Sequence, residues 1–157
     1  MAIQIGDSAP DFRLAAAGSA EPISLSSYRG EKNVVILFFP LAWTGVCTTE
    51  MCTIRDSLGR YDELDAQVLG ISVDSPFALN AWSQEQGLTF PLLSDFNREA
   101  AASYDALYDQ LLGFKGVAKR AAFVVDREGV VRYAEVLEKA SDLPDFTALQ
   151  ECLSAIS

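Results

Sequence analysis

The run Val34-Val35-Ile36-Leu37-Phe38-Phe39 constrains the fold more than any other stretch of the chain. A strand with one wetted face alternates apolar and polar residues. An unbroken apolar run rich in β-branched and aromatic side chains reads instead as a central strand covered on both faces. Pro40 ends it, because proline cannot donate to a ladder. With 157 residues, half of them apolar, the chain is the size of one domain and can bury a real core. No linker, repeat or boundary interrupts it, so residues 1–157 are expected to form one domain. The longest uncharged apolar run, Asn33 to Cys47, contains Pro40, Thr44 and Gly45 and is no membrane span.

The remaining elements follow from period and punctuation. Residues 1–32 carry turn signals around short apolar pieces at Phe12–Leu14 and Ile23–Leu25, which predicts extended arms and one short hairpin. From Val46 to about Leu64, Met51, Ile54, Leu58, Tyr61 and Leu64 recur at three- and four-residue steps, the mark of one helix face. Val68–Val73 reads as a second buried strand. Ser75-Pro76 then opens a helix to about Gln86, with Ser at the N-cap and Pro at N1. Phe90–Asp95 is a short strand, Glu99–Tyr104 a short helix and 107–119 a loop. Ala121–Val125 and Val130–Val136, separated by Asp126-Arg127-Glu128-Gly129, predict an antiparallel hairpin. A last helix is expected from Pro144 to Ile156. This order gives an α/β fold, a central mixed β-sheet flanked by helices on both faces. It is similar to the thioredoxin fold, although the pattern alone leaves a flavodoxin-like sheet open.

Composition removes several kinds of chemistry. A net charge of −10 argues against nucleic acid or an anionic membrane as partner, since both need a cationic face. The N-terminus lacks a basic region followed by an apolar one, so no secretory signal is visible. Three cysteines without such a signal suggest free thiols in a reducing compartment, the cytoplasm. The chain has no histidine, which excludes Cys–His and Ser–His–Asp catalysis and the His-containing zinc sites. Neither a metal nor a cofactor is expected.

That leaves Cys47 as the centre of interest. It follows the central strand and falls in the first turn of the next helix, where free N–H groups and the helix dipole favour an anion. With Thr44 as N-cap, Cys47 is at N3, and the Thr44 hydroxyl can donate to the sulfur or to an atom approaching it. Pro40 would shape the loop and shield the site from water. An ordinary thiol is about 3% ionised at pH 7, so complete ionisation gains at most roughly thirtyfold, about 2 kcal/mol. Enzymes typically accelerate by ~10⁶ or more. Most of the effect must therefore come from donors placed where charge develops, which predicts an arginine beside Cys47 in space.

Pro40-x-x-x-Thr44-x-x-Cys47 resembles the active-site motif of the peroxiredoxins, and Thr44-Gly45-Val46-Cys47-Thr48-Thr49-Glu50 fits it closely. The resemblance extends to Gly6-Asp7-x-Ala9-Pro10-Asp11-Phe12, Ile71-Ser72-Val73-Asp74-Ser75, Phe90–Asp95 and Arg120-x-x-Phe123-Val124-Val125-Asp126, and so covers nearly the whole chain. Within the family it most resembles the alkyl hydroperoxide reductase E group, with the bacterioferritin-comigratory (Q-type) group next. The resemblance implies a thioredoxin-like fold and a thiol-dependent peroxidase that reduces hydrogen peroxide, organic hydroperoxides or peroxynitrite. Cys47 would attack the peroxide and become a sulfenic acid. An external thiol, thioredoxin-like, glutaredoxin-like or of low molecular weight, would restore it. The resemblance also implies that Arg120 is the family's arginine, that Glu50 supports it and that the protein is a homodimer. Trp43, Phe77 and Trp82 are candidate interface aromatics. Two positions depart from the family pattern: Ala122 stands where relatives often have a hydroxyl residue, and Trp43 where Phe is usual.

Plainer readings stand beside these. A lone cysteine is more often a small buried hydrophobe, Thr44 alone would be an N-cap, Arg120 a solvated charge and Glu50 a first-turn carboxylate. Cys52 lies where many Q-type relatives carry a resolving cysteine, with simple packing as the competing role. In an intact helix Cys47 and Cys52 are about 140° apart and their Cα atoms roughly 8.6 Å apart. A disulfide needs less than about 7 Å, so the helix would have to unwind first. Cys152 reads as core packing. A thiol–disulfide oxidoreductase on the same fold is the alternative enzyme, although it would want Cys-x-x-Cys. A non-catalytic binding domain is a third reading.

Overall fold

The computed structural model describes residues 3–156; Met1, Ala2 and Ser157, the ends of the expected 1–157 domain, lie outside the described residues. The strands are β1 (Arg13–Ala16), β2 (Ile23–Ser24), β3 (Asn33–Phe38), β4 (Ala66–Ser72), β5 (Leu92–Ser94), β6 (Ala121–Val125) and β7 (Val131–Val136). The helices are α1 (Gly45–Asp56), α2 (Leu58–Glu63), α3 (Pro76–Gln86), α4 (Glu99–Ser103) and α5 (Phe146–Ile156). The strands form one sheet in the order β2-β1-β5-β4-β3-β6-β7, with the apolar run of β3 near its centre. β3, β4 and β5 are parallel neighbours joined by helical crossovers, whereas β6 runs antiparallel to β3 and pairs with β7 as a hairpin. An all-parallel, flavodoxin-like sheet is thereby excluded.

Every residue of β3 is buried, and alternation along the strand serves two cores. Val34, Ile36 and Phe38 face a cluster containing Phe12, Leu14, Ala100 and Ala101 of α4, Tyr104 and Phe123. Val35, Leu37 and Phe39 face the other, built on Met51 and Ile54 of α1, Leu79 and Trp82 of α3, and Leu149 and Leu153 of α5. Helices therefore cover both faces, as the unbroken run requires. No helix among the described residues is long and apolar enough to cross a membrane.

Register brings several chain segments to one edge of this sheet. Phe38 is opposite Ile71 in the parallel direction and opposite Ala121 in the antiparallel one, and Ala121 is opposite Val136. The exits of β3, β4 and β7 and the entrance of β6 consequently meet at one place.

Local chemistry sets most of the boundaries. Ser75 Oγ accepts the Ala78 N–H at 3.1 Å with Pro76 at the start of α3, and Gly87 closes that helix at φ 64°. Asp126 Oδ1 accepts from Glu128 and Val130 in the β6–β7 turn. The expected helix from Val46 to Leu64 is two helices, broken at Ser57 (φ −109°, ψ 11°), where Ser57 and Gly59 weaken helix propensity within three residues. The apolar series crosses the break intact, and Met51, Ile54, Tyr61 and Leu64 are all buried. The last helix begins at Phe146 rather than Pro144, because Asp145 Oδ1 caps the Ala148 N–H at 3.0 Å.

One expected interface aromatic is corrected. Trp82 is wholly buried and lies 5.3 Å from the Phe39 ring, so the sheet-facing stripe of α3 has consumed it. Trp43 and Phe77 remain exposed. Trp82→Ala should lower unfolding stability by about 3–5 kcal/mol, read as a drop in the urea midpoint, with no change in oligomeric state by light scattering.

Candidate functional site

β3 delivers the loop Pro40–Thr44 to the convergent edge, and α1 starts directly after it. Thr44 has the extended backbone of an N-cap (φ −85°, ψ 154°), which puts Cys47 at N3 as expected. Cys47 is 1% exposed. From the other side, Arg120 enters just ahead of β6 and is itself 2% exposed. Its guanidinium donates from Nη2 to Cys47 Sγ at 3.1 Å, from Nη1 to Glu50 Oε1 at 2.6 Å and from Nε to the Ala140 carbonyl at 3.0 Å. The arginine expected beside Cys47 is present, and its fork is fixed in three directions.

Burial pulls the Arg120 pKa down, but the charges of Glu50 and Cys47 outweigh it and hold the guanidinium above its ordinary value. Burial is also the main influence on Glu50: it pushes that carboxyl from its ordinary 4.5 to about 7, against the pull of Arg120 and with a smaller push from Glu135. Glu50 Oε2 has no hydrogen-bond partner among the described residues, which agrees with a carboxyl held far from water.

Thr44 departs from expectation. Its hydroxyl neither caps α1 nor donates to the sulfur; its proton goes to the Leu41 carbonyl at 2.9 Å. The chain turns sharply there, with Trp43 at φ 72°, and the turn brings that carbonyl within reach of the hydroxyl. Thr44 still lines the hollow beside Cys47, and a hydroxyl that donates elsewhere keeps lone pairs able to accept. Cys52 does not line the hollow. It sits half-buried on the other side of an intact α1, with Sγ 3.5 Å from Gln86 Oε1. Cys47, Cys52 and Cys152 are all free thiols. Cys152 packs against the α5 side of the core with Sγ on the Arg132 carbonyl.

The hollow over the sulfur has a volume of about 300 Å³. Pro40, Leu41, Val46, Leu111 and Leu112 line it, together with Ala140 and Ser141. A larger groove of about 420 Å³ lies between Phe77 and Phe96, but no cysteine borders it. The smaller hollow is therefore the one that holds a cysteine and Arg120. Leu111 and Leu112 belong to the loop 107–119, whose apolar residues Leu107, Tyr108, Phe114 and Val117 give the pair no distinguishing signal.

Residues 5–134 match the model of the AhpC/TSA family. The chain is 38% identical to alkyl hydroperoxide reductase E of Mycobacterium tuberculosis, over 99% of both chains. It is 39% identical to a chloroplastic 2-cysteine peroxiredoxin of Chattonella marina var. antiqua, over 87% of this chain and 72% of that one. The chain belongs to the AhpC/TSA peroxiredoxins. This peroxiredoxin is a thiol-dependent peroxidase with a thioredoxin-like fold. Its structure superposes on that of peroxidoxin BcpB from Mycobacterium tuberculosis with a TM-score of 0.87 at 30% identity, covering 99% of each chain.

In this peroxiredoxin the buried Glu50 carboxyl gives folding a defined pH dependence. Its folded pKa, about 7, lies above its ordinary 4.5. Between those values the native state keeps a proton that the unfolded chain has lost, so this group's contribution to stability falls as pH rises through the window. Glu50→Gln should flatten the fall in urea midpoint between about pH 4.5 and 7. An unchanged slope would assign that dependence elsewhere.

Proposed function

We propose that Cys47 is the peroxidatic nucleophile, with Arg120, Thr44 and Pro40 as the catalytic pocket and Glu50 as the support that aims Arg120. The observation that carries this reading is the 3.1 Å contact between Arg120 Nη2 and Cys47 Sγ inside a hollow open to a small molecule. The sulfur attacks one peroxide oxygen and the O–O bond breaks; the other oxygen leaves as water or alcohol, taking the proton the thiol gives up, or as nitrite where the substrate is peroxynitrite. Cys47 becomes a sulfenic acid, the first step of cysteine oxidation. The guanidinium can shift a donor from sulfur to oxygen as negative charge moves along S–O–O, and it needs no reorganisation to do so. Hydrogen peroxide, peroxynitrite and organic hydroperoxides all fit this step, and the leucine-rich wall suits an alkyl substituent.

In the folded helix Cys52 points away from the hollow, so we assign reduction of the sulfenic acid to an external thiol. A thioredoxin-like or glutaredoxin-like protein or a low-molecular-weight thiol would displace water to form a mixed disulfide, which a second thiol resolves. We further propose that residues 1–157 work as one domain in the cytoplasm, where three unpaired thiols are kept reduced. A homodimer is supported by Trp43, 52% exposed, and Phe77, 84% exposed, which leave apolar surface beside the site and on α3.

One equivalent of peroxide followed by mass spectrometry should find Cys47 as the first residue oxidised. Cys47→Ser should abolish turnover, and Arg120→Lys should lower kcat/KM by about a hundredfold, since a point charge cannot replace the fork. Thiol counting should show one cysteine lost per equivalent. Loss of two, abolished by Cys52→Ser, would move the resolving step to Cys52, and a first oxidation elsewhere would overturn the Cys47 assignment.

A further inference from the structure

We infer that Asp74 is a positioning residue for peroxide reduction, acting through the loop Pro40–Thr44; this rests on Cys47 being the nucleophile. Asp74 lies just beyond the end of β4, the strand parallel to β3, and so at the same edge of the sheet as that loop. Its Oδ2 accepts the Ala42 N–H at 2.8 Å. Apart from the Thr48 N–H on the Thr44 carbonyl, which opens α1, no other hydrogen bond found among the described residues joins the backbone of residues 41–44 to another element of the fold. The Thr44 hydroxyl on the Leu41 carbonyl closes the loop only upon itself.

The carboxylate is in turn fixed from beneath. Ser72 Oγ donates to Asp74 Oδ2 at 2.6 Å and accepts the Asp74 N–H at 3.2 Å, while Ser94 Oγ donates to the Asp74 carbonyl at 2.6 Å. Ser72 and Ser94 are buried and face each other in the β4–β5 register. One hydroxyl thus holds the Asp74 carboxylate and the other its backbone carbonyl, and the carboxylate holds the loop.

The loop has reason to need a tether. Trp43 adopts a positive φ of 72° with half its surface in solvent, so packing does not impose that conformation on it. Ala42, immediately before it, is pinned by Asp74. Thr44 and Pro40 flank the pair and face the hollow, and Cys47 begins one turn later. Releasing Ala42 should let Pro40 and Thr44 drift relative to Arg120, whose position is set independently from β6. A drift of that kind harms a reaction that needs an aligned S–O–O axis. It spares one that only needs an accessible sulfur.

The two reactions separate the roles. Reduced wild-type, Asp74→Ala, Asp74→Asn and Ser72→Ala proteins are treated with hydrogen peroxide, and sulfenic acid at Cys47 is timed by dimedone trapping and mass spectrometry. Parallel samples are alkylated with iodoacetamide at the same pH. Asp74→Ala should slow peroxide oxidation about tenfold or more while alkylation stays within about twofold. Asp74→Asn keeps one side-chain oxygen, which can accept both the Ala42 N–H and the Ser72 hydroxyl as Oδ2 does, so oxidation should stay within about threefold of wild type. Ser72→Ala should fall between the two, and it decides alone if Asp74→Ala does not fold. Oxidation at the wild-type rate in Asp74→Ala or, failing that, in Ser72→Ala overturns the inference, as does a parallel loss of oxidation and alkylation. An unmodified Cys47 in the wild-type protein overturns both this inference and the nucleophile assignment.

Discussion

A desolvated guanidinium between a sulfur and a carboxyl is the interaction on which the rest of this structure depends. Arg120 has almost no contact with solvent, and its Nη1, Nη2 and Nε each donate to a fixed acceptor, Glu50, Cys47 and the Ala140 carbonyl. Burying such a charge costs several kcal/mol per ion, and its partners return that only when the geometry is good. A leucine at this position would serve the core as well. The arrangement is therefore better understood as maintained for what it does to Cys47 than for stability. The chain carries an excess of ten negative charges, so this positive focus is strictly local.

The sheet makes that focus possible. Arg120 and Cys47 are separated by 73 positions in sequence and still touch, because β6 starts where β3 ends. An antiparallel neighbour reverses direction, so the residue preceding β6 falls beside the residues following β3. The exit of β7 falls at the same edge, and the Leu137 N–H bonds the Arg120 carbonyl at 2.9 Å, which brings Ala140 round to receive Nε. Reversing the β3–β6 pairing would leave a cysteine at a helix start and an arginine at the far side of the sheet, and reversing β6–β7 would take the Ala140 carbonyl away from Nε.

The parts legible in the sequence were those fixed by neighbours in the chain. The β3 run, the Ser75-Pro76 start of α3, the β6–β7 hairpin and the placement of Cys47 at N3 depend on propensity, capping and turn chemistry within a few residues. The position of Arg120 was legible through its motif, not through periodicity. What failed depends on register. Trp82 sits on a helix whose exposed face carries Phe77, and nothing local says which of the two aromatics the sheet claims. The Thr44 hydroxyl had two acceptable partners, and the turn at Trp43 decided for Leu41. Leu111, Leu112, Ala140 and Asp74 reach the site only because four chain segments converge there.

The energetics explain why so much of the fold is spent on holding rather than on ionising. Full ionisation of a thiol at neutral pH supplies about 2 kcal/mol of rate acceleration, whereas a ~10⁶-fold enhancement needs about 8. Roughly 6 kcal/mol must then come from donors that are already in place when S–O–O aligns. Against that requirement, a non-glycine residue in the left-handed region costs on the order of 1–3 kcal/mol. The strain at Trp43 is thus smaller than what a fixed loop and a fixed guanidinium can return, provided both are anchored to the same sheet. They are: Ala42 reaches β4 through Asp74, and Arg120 is continuous with β6. A chain with no histidine has no imidazole to place beside the cysteine, so the contact between Arg120 and Cys47 depends on how rigidly β3, β4 and β6 hold their common edge.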